Sequence, residues 1–146
     1  MEMMVVVAII GLIVGVSIPA VSAGIDSVRL SSATSSTAAF LNAAVTRAER
    51  LQQPIELVIS PKDSRISLYS NEPGFTRELR MPAGVTIEAV LPLIPEEPDG
   101  VRRLILVPGA TVPGIGIQIA GRRGGRRIVR LDPMTGFPRV ESVDTK

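Results

Sequence analysis

Uncharged, mostly apolar residues run without interruption from Met3 to Ile25, and charge returns only at Asp26. Val5, Val6, Val7, Ile9, Ile10, Leu12, Ile13, Val14, Val16, Ile18 and Val21 carry this stretch. At about 1.5 Å per residue, a helix of this length crosses a hydrocarbon core of roughly 30 Å, so the pattern predicts a membrane span. Past Ile25 the spacing changes. Leu30, Ala33, Thr34, Thr37, Leu41, Ala44, Ala48 and Leu51 recur at steps of three and four, while Arg29, Ser32, Ser36, Arg47 and Arg50 take the other faces. This predicts an amphipathic helix, either continuous with the span or separate from it, ended by Pro54, which disfavours helix at the residue before it. The apolar stripe is rich in small residues, as suits a helix laid closely on a sheet.

From Ile55 the apolar positions alternate in short runs separated by proline and glycine. Strands are expected at Ile55 to Ser60, Arg65 to Ser70, Thr76 to Met81, Val85 to Leu91, Val101 to Val107, Ile115 to Ala120, Ile128 to Leu131 and Phe137 to Val143. The first two form a hairpin across Pro61 to Ser64. Pro92, Pro95, Glu96, Glu97, Pro98, Asp99 and Gly100 form a rigid, exposed loop. Strands at this density argue an antiparallel sheet packed against one long helix, an α+β fold. The chain divides into a transmembrane and assembly helix (1–28), an amphipathic helix (29–53) and an antiparallel β domain (54–146).

With 146 residues there is room for one modest domain beyond the span. The absence of His and Cys excludes disulfides, the usual zinc sites and the Ser/His or Cys/His nucleophile pairs. The pI of about 9.7 comes from a net charge of only +2, so the distribution of charge matters more than its sum. Gly114, Ile115 and Gly116 open like a dinucleotide fingerprint, but the third glycine and the strand-to-helix context are missing. Lys62 and Lys146 lie in no catalytic pattern. The chain does not read as an enzyme, and no cofactor is expected. A cleavable secretory signal competes with the span at the N-terminus, since Val21, Ser22 and Ala23 imitate a cleavage site. Glu2 is acidic, however, and the apolar run is too long for that reading.

Glu2 followed by Met3 to Gly11 (EMMVVVAIIG) and Leu12 to Pro19 (LIVGVSIP) resembles the N-terminal signature of type IV pilins and type II secretion pseudopilins. In that family a basic leader ending in glycine is removed by a prepilin peptidase, and the new N-terminal residue is methylated. The glutamate lies a few residues further on. The resemblance implies an inner-membrane subunit with its C-terminal domain in the periplasm, assembling with other pilin or pseudopilin subunits. It also implies that Glu2 meets the free N-terminal amine of a neighbouring subunit. Physical reasoning allows a plainer role, because a carboxylate at a helix N-terminus is favoured by the helix dipole in the headgroup layer. Gly11 and Gly15 weaken helicity and Pro19 removes a backbone donor, so this segment can unwind when a filament packs, or is ordinary membrane-helix composition.

Phe40 to Ser60 (FLNAAVTRAERLQQPIELVIS) is similar to the helix and first strand of H-type minor pseudopilins and FimT-like minor pilins. Leu104 to Gly109 (LILVPG), Ile115 to Ala120 and Arg126 to Glu141 (RRIVRLDPMTGFPRVE) resemble their C-terminal strands, with Leu106 where a phenylalanine is expected. Nothing in Asn71 to Gly100 carries the resemblance. Arg122, Arg123, Arg126, Arg127 and Arg130 cluster on the segment GRRGGRRIVR. Arginine forks grip phosphate bidentately, and in FimT-like minor pilins a basic C-terminal region is implicated in DNA uptake. These arginines are candidate DNA-binding residues; the alternative is a solvated hairpin, or pairing with Glu96, Glu97 and Asp99. With one Tyr and no Trp in the chain, stacking on bases is not expected.

The expected function is thus a minor pseudopilin at the tip of a type II secretion filament, with a DNA-binding minor pilin as the alternative. The nearest basic residue to the span is Arg29, on its far side, which conflicts with the positive-inside rule. Either the span inserts in reverse or a basic leader precedes Glu2. The reading frame upstream of Met1 is expected to encode a short basic leader ending in glycine. Sequencing that finds an in-frame stop immediately upstream contradicts it.

Overall fold

A computed structural model of the chain describes residues 2–94 and 100–143. The expected loop at Pro95 to Asp99 and the C-terminal Lys146 lie outside the described residues. One helix, α1, runs unbroken over Glu2–Leu51, with Pro19 inside it. Its length is roughly 75 Å at 1.5 Å per residue. Nothing interrupts it at residues 28–29, so the span and the amphipathic helix are one element. It is long and apolar enough at its N-terminal end to cross a membrane.

The two halves of α1 meet different surroundings. From Glu2 to Val21 every side chain is exposed. Further on, Leu30, Ala33, Thr34, Thr37, Leu41, Ala44 and Ala48 are buried, the stripe expected from their spacing. Thr34 and Thr37 stay inside because their hydroxyls donate back to the carbonyls of Leu30 (2.6 Å) and Ala33 (2.8 Å), leaving no polar group unsatisfied there. Leu51, assigned to the same stripe, is instead exposed. The helix ends at that residue: Gln52 turns left-handed at φ 51°, and the Gln53 amide reaches back to the Ala48 carbonyl (3.4 Å). That bond closes a Schellman-type cap ahead of Pro54, two residues before the expected end at residue 53.

Eight strands follow: β1 (Ile55–Ser60), β2 (Arg65–Ser70), β3 (Thr76–Arg80), β4 (Val85–Leu91), β5 (Arg102–Leu106), β6 (Gly116–Gly121), β7 (Arg126–Leu131) and β8 (Pro138–Ser142). They lie at the expected places, with the β1–β2 hairpin in register from Ile55↔Ser70 to Ser60↔Arg65. They form two four-stranded sheets, ordered β3-β2-β1-β5 and β4-β6-β7-β8, with every pairing antiparallel. The segment without family resemblance thereby acquires a topology, as β3 edges the first sheet and β4 edges the second. A pattern of alternating residues fixes which face of a strand is buried but not which neighbour it pairs with.

Ile55, Leu57, Ile59 and Ile66 of the first sheet and Ile117, Ile119, Val129 and Leu131 of the second are fully buried, and they join the stripe of α1 in one core. The helix packs chiefly on β6, β7 and β8. Among the turns, Asp132 accepts from the Met134 amide at 2.9 Å. That bond, with the Thr135 amide, the nearby Arg139 guanidinium and the Thr135 hydroxyl also favouring the anion, outweighs desolvation and holds its carboxyl below the usual range.

Leu41 is 1% exposed at the centre of this contact. Leu41→Ala is expected to lower the unfolding free energy of the β domain by about 2–5 kcal/mol, the range for a large-to-small change in a packed core. Val14→Ala, on the bare half of the helix, is expected to leave it unchanged. Urea unfolding of the chain in detergent checks the pair, and equal effects would show that the stripe does not hold the helix to the sheets.

Candidate functional site

The arginine segment forms the turn between β6 and β7. Their ladder closes at Ala120↔Arg126, after which the Gly121 amide bonds the Gly125 carbonyl (2.8 Å) and the Gly124 amide bonds the Gly121 carbonyl (3.1 Å). Gly124 adopts φ +83°, a conformation other residues rarely take. Gly125 has a second reason to be glycine, since a Cβ there would lie 3.1 Å from Leu30 Cδ2. The turn can therefore close directly onto α1, beside Ser22 to Ser31.

That closeness gives Arg123 and Arg127 partners on α1, and the neighbouring strands supply partners for Arg126 and Arg130. Arg123 lies 3.3 Å from the Asp26 carboxylate and donates to the Ser22 hydroxyl at 2.8 Å. Arg127 donates to the Ser31 hydroxyl (3.3 Å). Arg126 pairs with Glu88 at 3.0 Å, and Arg130 with Glu141 at 3.5 Å. Glu88 is placed for this by a register shift between Ile87 and Ala89, and it also accepts from the Gln118 side chain (2.6 Å). Arg122 is different. It is exposed and makes no hydrogen bond or ion pair among the described residues, and its guanidinium lies against Gly84, where a Cβ would come within 3.3 Å of Nε.

The assembly candidates sit on the bare half of α1. Glu2 is exposed in the first turn, Gly11 has no neighbour within 4 Å of where a Cβ would stand, and Pro19 is held within continuous helix. Glu2 and Gly11 are brought near no other candidate. Pro19 is connected to the arginine turn: Ser22 donates to the Pro19 carbonyl (3.0 Å) while accepting from Arg123.

Sequence reasoning missed Ser22, Asp26, Ser31 and Glu88 as partners of the cluster. Asp26 left a readable signal, being a lone carboxylate at the end of an apolar run and so in need of a cation. Glu88 left none, because its position depends on the bulge. Among the described residues no group of three carboxylates is placed to hold a metal. No protein-family model, curated protein or solved structure matches the chain.

Proposed function

We propose that the chain is a single-pass inner-membrane subunit of a pilin-like filament, a minor pseudopilin of the H type in a type II secretion system. The observation that carries this reading is α1 itself. One continuous helix has an exposed apolar N-terminal half, suited to lipid and to the matching helices of other subunits, and a C-terminal half fixed on antiparallel sheets. The residues Glu2 to Pro19, which resemble the pilin signature, lie wholly on the exposed half. A carboxylate at the membrane end of such a helix is costly to bury without a partner, and the amine of a neighbouring subunit supplies one. A tip position and a periplasmic β domain belong to this reading.

Glu2→Gln keeps the shape of the side chain and removes its charge. Membrane insertion is expected to persist, while crosslinking to neighbouring subunits and incorporation into filaments fall. Unchanged incorporation would return Glu2 to a helix-end role in the headgroup layer.

The unpartnered Arg122 favours a second reading, a FimT-like minor pilin that binds DNA during uptake. In that case the domain lacking residues 1–25 binds duplex DNA without sequence preference. Removal of a single phosphate-binding arginine should flatten the plot of log affinity against log salt by about 0.9. Replacing Arg122, Arg123, Arg126 and Arg127 with alanine abolishes the binding. A variant that binds like the parent, with the same salt slope, removes the cluster from any role in DNA uptake.

A further inference from the structure

We propose that the Arg122–Arg123 turn docks on the membrane that α1 enters, with a phospholipid phosphate seated between the turn and the helix. The inference rests on reading Met3 to Ile25 as a membrane span. Twenty residues from Met3 to Ser22 cover about 30 Å of hydrocarbon, and Asp26 lies about 6 Å further along the axis. The headgroup layer is itself only roughly 5–7 Å deep on each side. Arg123 touches Ser22 at 2.8 Å and Asp26 at 3.3 Å, so the turn is held at the depth of the lipid phosphates.

The charges at this depth suit an anion. Arg123 neutralises Asp26, leaving Arg122 and the exposed Arg29 without a hydrogen bond or ion pair among the described residues. Arg122 helps line a cleft of about 260 Å³ between the turn and α1, together with the apolar Ala23, Leu30 and Gly121 and the paired Asp26 and Arg123. Ala23, Leu30 and Gly121 give it an apolar side where acyl chains begin, and Arg122, its guanidinium over Gly84, supplies paired N–H groups that match a phosphate diester. A DNA duplex competes poorly for this face, because the anchored bilayer lies against it.

The full chain in nanodiscs tests the proposal, by amide hydrogen exchange across Gly121–Gly125 in phosphatidylcholine and in an equimolar mixture with phosphatidylglycerol. Exchange is expected to be slower in the anionic discs by about fivefold, the factor one basic residue contributes at an anionic surface. Arg122→Gln should remove the slowing while exchange at residues 41–48 of α1 stays unchanged, since Arg122 supports no contact of the core. Equal exchange in both lipids, or slowing that survives Arg122→Gln, overturns docking with the anchor reading intact. Duplex DNA that slows the turn in phosphatidylcholine discs as much as phosphatidylglycerol does would assign the turn to nucleic acid instead. A chain that fails to enter the discs overturns the anchor reading, and docking with it.

Discussion

On the proposed anchor reading a single helix has to satisfy two solvents, and the rest of the molecule is arranged around that constraint. Because an α-helix bonds its own backbone, it can leave lipid and join a folded domain without any change of conformation. Only the side chains need to change, and they do so between Ser22 and Leu30, where the first half-buried residues of α1 occur. Upstream, bulky aliphatic residues point in all directions. Downstream, Ala33, Thr34, Thr37, Ala44 and Ala48 narrow the helix so that β6, β7 and β8 can approach its axis.

The narrow stripe has a consequence for the arginine turn. Hairpin β6–β7 packs along the buried half of α1, so its connecting turn falls at the end of that half, where the bare helix begins. Gly124 and Gly125 allow the turn to fold down onto Leu30 instead of projecting into solvent. A cluster that looks like a free basic patch in one dimension is thereby drawn against the helix, and Arg123, Arg126, Arg127 and Arg130 find partners in the chain. Exposed ion pairs of this kind add little stability, typically below about 1 kcal/mol each. Their effect is to orient the turn, leaving Arg122, its guanidinium over Gly84, as the member without an ion pair among the described residues.

Elements were legible in the sequence where one periodicity governed them. The buried stripe from Leu30 to Ala48 followed from spacing alone, and so did the alternation of Ile117 and Ile119 and the hairpin at Pro61 to Ser64. Partition into two sheets was not legible, because Ile55, Leu57 and Ile59 of β1 have the same pattern whether their neighbour is β5 or β4. Leu51 misled for a local reason: it fits the stripe by phase, but the cap at Gln52 ends the helix before it can be covered. The candidate site was half legible. Its arginines stand together in the chain, whereas their carboxylates come from α1, from a bulge in β4 and from β8, nearly a hundred residues from Arg123 in one case.

The link from Arg123 through Ser22 to the Pro19 carbonyl joins two features that the sequence presents as unrelated. Pro19 has no amide to donate, so the Gly15 carbonyl lacks its helical partner, and with Gly11 this leaves the least supported stretch of α1 between residues 11 and 19. That stretch has no tertiary contact either, since nothing lies near Gly11 or Gly15. On the domain side of Ser22 the situation reverses, with a side chain from the turn bonded to the helix and the core beginning at Leu30. Unwinding that starts at the proline therefore breaks only backbone bonds toward the N-terminus, but toward the domain it must also break the Arg123 contacts. In the proposed filament this asymmetry lets the bare half of α1 adjust to its neighbours while the turn keeps the change from reaching the packed half.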